Sequence, residues 1–256
     1  MHVHVAPKAK DEQAPSGSQW TRSDLCLVIK ATGVFDDAIM KIMPADRKNN
    51  VWARSNFRRL TDPTTNKVKG PSNEKLRNAF ERVPNDGWRP FFDIIDKPKG
   101  RLTQALLREL EMAQDREVSM NFSTISSYGT VEFRRPPGVN TSADAQKWAA
   151  FAVAFVCASF NPEWDHGSWA TVNRHATVKD LQSFIRSGIQ LLGWPQWILD
   201  PNTLVENTSP KQPPEYHHAE EIKRKLAKAE KESGFEEKVC IIFLVFKYRL
   251  NSPLLT

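Results

Sequence analysis

Two small groups of residues carry spacings that could do chemistry. His2-Val3-His4 opens the chain. On a strand, the period of two puts both imidazoles on one face, a spacing that suits metal ligation because the rings converge. The second group lies in residues 117–138, EVSMNFSTISSYGTVEFRRPPG. If residues 128–134 form a strand, Tyr128, Thr130, Glu132 and Arg134 share one face, and Gly129, Val131 and Phe133 share the other. Val131 and Phe133 then point at a core, leaving Glu132 and Arg134 together on the opposite side with Arg135 beside them. A carboxylate and a guanidinium held on one strand face make a seat for a cation and a phosphate. Asn121, on a preceding strand, joins them if residues 123–127 close an antiparallel hairpin. Blander readings stand beside these: a frayed, solvated end for the histidines, and a surface ion pair worth about 0–1 kcal/mol for Glu132 and Arg134. Residue types and spacing leave both open.

Several elements must position these groups. The HVHV start reads as a strand. From Ser23 a helical pattern runs through Leu25, Val28 and Ile29, breaks near Gly33, and resumes over residues 35–43 until Pro44 stops it. Residues 47–59, RKNNVWARSNFRR, are dense in arginine and asparagine; alone they read as a solvated basic loop. Pro71 and Ser72 open a helix that reaches Val83, with Ser72 as its N-cap. Leucines 102, 106, 107 and 110 give a further helix. Residues 142–160, SADAQKWAAFAVAFVCASF, form a helix that is apolar almost all round, and so belongs in the centre of a domain. Thr177-x-x-Asp180 is a capping box that starts another helix, ended at Gly193. His166 and His175 flank the tryptophan-rich residues 164–169 and read as packing residues.

The composition narrows the partners. With 256 residues, one sizeable core is expected. The chain divides into residues 1–199 and a charged, mostly helical tail at 200–256, which contains His217, His218 and the apolar run 239–246. A net charge of +6 favours anionic ligands. Nucleic acid is disfavoured, because no glycine-rich phosphate loop and no basic block interleaved with aromatics is present. Cys26, Cys157 and Cys240 are too scattered for a disulfide framework or a zinc ribbon. The N-terminus has no apolar core of a secretory signal, and no apolar run approaches the ~20 residues of a membrane span. The expected location is cytoplasmic, with no membrane partner. No hydrolase triad can be ordered from these residues.

The blocks MHVHV, MPADRKNNVWARSNF, MNFSTISSYGTVEFRRPPGV and KWAAFAVAFV resemble, in this order, the amidoligase family in its fungal form. That family is related to glutamine synthetase and the glutamate–cysteine ligases. The resemblance covers roughly residues 1–195, and the NFS…TVEFR…G block is its most specific part. It implies an α+β fold in which a curved antiparallel sheet, packed by helices, carries a glutamine synthetase-like catalytic core. It further implies ATP-dependent amide-bond formation through an acyl phosphate, with ATP and Mg²⁺ as cofactors. Its substrates would be small-molecule or peptide carboxylates and amines. Carried over by residue, Glu132 and His4 would ligate magnesium, and Arg134 would stabilise charge on the transferring phosphoryl group. His2 and His4 would line the nucleotide–metal site, while Asn121, Arg47 and Asn49 would hold phosphate or substrate carboxylate. Family members ordinarily carry an acidic strand ahead of the HVH strand, so the resemblance implies a core incomplete at its N-terminus. An inactive, truncated relative that binds an anion or a partner is the alternative expectation.

Overall fold

The structure, a computed structural model, describes residues 1–7, 20–48, 53–61, 68–69, 73–97, 103–113, 116–139, 141–161, 164, 166–195 and 197–208. The proposed tail helix and residues 239–246 lie outside them. The fold is mixed α+β. In chain order it runs β1 (Val3–Val5), α1 (Arg22–Ile42), α2 (Ala45–Lys48), β2 (Leu60–Thr61), β3 (Val68–Lys69), α3 (Glu74–Glu81), α4 (Val83–Asp86), α5 (Arg89–Asp96) and α6 (Thr103–Glu109). Then follow β4 (Met120–Asn121), α7 (Thr124–Tyr128), β5 (Val131–Phe133), α8 (Ser142–Ser159), α9 (His166–Ala170), α10 (Val178–Leu191) and a 3₁₀ turn at Pro201–Thr203.

The main sheet has the order β1-β5-β4, and both pairings are antiparallel. Its inner face is fixed by alternation: Val3 and Met120 both lie opposite Phe133 across the ladders. Phe133 meets Phe151 of α8 with ring centroids 5.5 Å apart. The apolar α8 is therefore the floor of the sheet and the centre of the core, as its composition predicts. Helix α10 packs along it, and Gly188 permits the approach: a Cβ there would overlap the Ala154 carbonyl oxygen. Phe35 of α1 stacks on Phe184 of α10 at 4.3 Å and meets Phe155 of α8 at 6.2 Å, which ties the three long helices together.

The boundaries differ from the sequence reading for identifiable reasons. Helix α1 is continuous through Gly33, where a Cβ would lie 2.5 Å from the Phe91 ring; the glycine there makes room for a neighbour and does not break the helix. Asn73, not Ser72, caps α3, accepting a hydrogen bond from the Leu76 amide at 2.9 Å. Thr141 caps α8 ahead of Ser142. The Thr177–Asp180 capping box is present as expected. The largest difference is between β4 and β5. A simple hairpin loop was expected at residues 123–127, but the connection is the short helix α7, ended by Gly129 with φ of 67°. Tyr128 consequently belongs to this helix, and β5 begins only at Val131. Packing also continues past residue 199: Leu204 is buried, and its carbonyl accepts a hydrogen bond from Gln182 at 2.9 Å.

Candidate functional site

The register of the sheet assembles the site. His4 lies directly opposite Glu132 across the β1–β5 ladder, and Asn121 lies directly opposite Glu132 across β4–β5. Side chains level across a sheet share a face, so the three form one row on the face turned away from α8. His2 and Arg134, each two residues along its own chain, join that face. The five residues singled out by spacing are thus brought together.

Glu132 is the hub of this cluster and is buried. Its Oε1 is 2.8 Å from His2 Nδ1 and 3.8 Å from His4 Nε2. Its Oε2 accepts a hydrogen bond from Asn121 Nδ2 at 2.6 Å and lies 3.7 Å from Arg134 Nη1. Burial by itself would raise the pKa of this carboxyl. The hydrogen bonds from His2 and Asn121, with the charge of Arg134, outweigh burial and leave it below the ordinary glutamate value. His4 shifts the other way in charge: burial lowers its pKa, the pull of Glu132 opposes this, and His2 and Arg134 add to the lowering. At neutral pH the row therefore presents an ionised carboxylate beside a neutral imidazole. The remaining ring nitrogen of His4, Nδ1, shares a hydrogen bond with Thr130 Oγ1 at 2.8 Å.

The surroundings hold these groups in place. Asn121 Oδ1 accepts from the Ser123 amide at 2.9 Å and from its hydroxyl at 2.7 Å, which turns Nδ2 toward Glu132. The outer edge of β4 is bound by the arginine- and asparagine-rich segment. Asn56 donates to the Met120 carbonyl at 2.8 Å and accepts from the Met120 amide at 3.0 Å. Arg54 forms an isolated parallel bridge with Val118. The described residues 53–59 of that segment are thus docked on the sheet through Arg54 and Asn56, and do not form the solvated basic loop that composition alone suggests. Nothing in its composition distinguished the two, because asparagine suits a solvated turn and a side-chain substitute for a strand equally well.

Arg47 sits where β5 ends, donating to the Arg134 carbonyl at 2.7 Å and the Arg135 carbonyl at 3.2 Å. Arg135 is fully buried, with Nη2 2.8 Å from Asp36 Oδ1 and Nη1 donating to the Asp36 carbonyl at 2.9 Å. Arg135 does not lie beside Glu132 and Arg134 as the sequence reading has it: alternation carries it to the side of Val131 and Phe133, and an arginine facing the core requires a carboxylate, here Asp36. Alternation places Thr130 on the Glu132 face without a role; Asn56, Ser123 and Asp36 carry no spacing signal. Asn49 lies outside the described residues. His175 is a packing residue as expected, its ring 4.8 Å from Phe80 and 5.4 Å from Trp88.

Among the described residues, no group of three or more His, Cys, Asp and Glu side chains is arranged to hold a metal ion. The donor chemistry suits magnesium in a narrower way. Mg²⁺ is commonly held by one or two carboxylates, with nucleotide phosphates and water completing its shell. Glu132 supplies one such carboxylate, its Oε1 shared between His2 and His4 and its Oε2 between Asn121 and Arg134. A magnesium ion held by Glu132 would need phosphate oxygens or water for the rest of its shell. Compared with known protein families, curated proteins and solved structures, the chain matches none. No helix among the described residues is long and apolar enough to cross a membrane.

Proposed function

We propose that this protein is an ATP-dependent carboxylate–amine ligase of the amidoligase type, with a glutamine synthetase-like catalytic core. The observation that carries the reading is the placement of Glu132 between His4 and Asn121 in one row, with His2 and Arg134 on the same face. Residues separated by more than a hundred positions converge on one carboxylate, a more specific arrangement than a surface ion pair requires. In the first half-reaction a substrate carboxylate oxygen attacks the γ-phosphorus of ATP, giving an acyl phosphate and ADP. In the second, an amine attacks the acyl carbon, phosphate departs, and the amine loses a proton. Bound with the nucleotide, magnesium would neutralise phosphate charge, and Glu132, with His4 beside it, would hold it. Arg134 faces the charge that develops during phosphoryl transfer, and Asn121 and His2 fix the Glu132 carboxylate. Arg47 supports the end of β5 that carries Arg134. The ATP requirement suits a cytoplasmic protein.

Hydroxylamine tests the reading directly, because it traps acyl phosphates as hydroxamates. Offered a panel of amino-acid and dicarboxylate substrates, the full chain is expected to release ADP in step with hydroxamate. ADP release with no carboxylate of the panel would count against it. A second reading, an anion-binding relative without catalysis, is favoured by the single carboxylate in the row. It predicts nucleotide or phosphate binding with no hydroxamate.

A further inference from the structure

We infer that Tyr128 is the stacking wall for the flat base of a nucleotide bound in this site. The inference rests on the ligase reading above, which supplies ATP as the ligand. Tyr128 is the last residue of α7 and is 63% exposed, one of few large apolar side chains so open among the described residues. Its ring stands edge-on to His4, with centroids 6.0 Å apart and planes at 86°. His4 is in turn 3.8 Å from the Glu132 carboxylate. The exposed ring and the polar row therefore lie within the reach of one nucleotide, base at one end and phosphates at the other.

The connection that carries Tyr128 is firmly built. Thr124 Oγ1 lies 3.1 Å from the Asn121 carbonyl and 2.7 Å from the Thr130 carbonyl, bridging the ends of β4 and β5. The Gly129 amide closes α7 on the Ile125 carbonyl at 3.1 Å, and its own carbonyl accepts a hydrogen bond from Trp20 Nε1 at 3.0 Å. Gly129 adopts φ of 67°, which a side chain would resist. Such anchoring fixes the backbone that carries Tyr128, while the ring itself stays mostly open to solvent. A ring held this way beside a charged row suits stacking on a planar ligand.

Isothermal titration of the full chain with Mg²⁺-ATP and with Mg²⁺-tripolyphosphate, which lacks a base, separates the roles. Base–aromatic stacking predicts that Tyr128→Ala weakens ATP binding by about ten-fold, within a range of roughly five- to hundred-fold. Tripolyphosphate binding stays unchanged, and Tyr128→Phe keeps the ATP affinity. Equal ATP affinity in Tyr128→Ala and the wild type would overturn the inference while leaving the ligase reading intact. Equal weakening of both ligands would also overturn it. A wild-type protein that binds tripolyphosphate as tightly as ATP contradicts the base wall alone; one that binds neither removes the ligase reading with it.

Discussion

Arg135 and Asp36 form an ion pair closed to solvent, with Nη2 2.8 Å from Oδ1. The pair joins the end of β5 to the middle of α1, and Ser55 completes it by donating to Asp36 Oδ2 at 2.7 Å. The strand that carries Glu132 and Arg134 is thereby tied to the longest helix of the core.

Removing one partner of such a pair leaves a buried charge without compensation, which costs about 3–5 kcal/mol. Asp36→Ala is therefore expected to lower the unfolding free energy by that amount in urea titration. A loss below about 1 kcal/mol would mean that Arg135 finds water or another acceptor.

The α8–α10 crossing makes a second prediction. Gly188→Ala would force the helices apart, because its Cβ overlaps the Ala154 carbonyl oxygen, and the Ala158 methyl lies 3.1 Å away. Overpacking of this kind costs about 1–3 kcal/mol or more, visible as a lowered melting temperature. Gly138→Ala, with open space around the added methyl, is the matched control and is expected to melt close to the wild type.

These two contacts also mark what a sequence makes legible. The apolar α8, the Thr177 cap and the HVH strand could be read because burial and capping repeat at fixed local periods. The row itself was readable once alternation put His4, Asn121 and Glu132 each on a defined face. What escaped was pairing at long range. Asp36 reads as an ordinary polar residue of a helix until Arg135, 99 residues away, is seen against it. Asn56 reads as a loop residue until Met120 is seen beside it. Helix α7 was missed because five residues of Thr, Ile, Ser and Tyr carry little helical preference. Their fold is set by Thr124 and by the left-handed Gly129 that closes the turn.

Acid should weaken the fold in two stages. His175, packed between Phe80 and Trp88, has a lowered pKa, chiefly from burial; Asp37 pulls the other way, and Arg58 adds to the lowering. The unfolded chain then binds this proton more readily than the folded one. The stability contributed by neutral His175 is present above the ordinary histidine pKa of about 6.5 and is lost as pH falls through it toward the lowered value. His4 acts in the same sense. At lower pH, Asp180 and Glu132 follow. In both, burial raises the pKa but is outweighed, for Asp180 by bonds from Arg174 and Thr177. Their contribution is present above the ordinary carboxylate range and lost as pH falls below it. Unfolding free energies measured between pH 7.5 and 5.5 should decline, and His175→Phe should flatten that decline. Equal slopes in the two proteins would mean that His175 does not titrate with unfolding in this range.

We propose above that the Glu132 row receives a magnesium-bearing nucleotide. Calorimetric titration of the full chain with ATP, with Mg²⁺ and then with a chelator, tests it on the wild type and Glu132→Gln. Saturable binding is expected that requires Mg²⁺ and weakens by roughly tenfold or more in Glu132→Gln, the loss of one charged ligand. ATP binding that is indifferent to both magnesium and this substitution would contradict it.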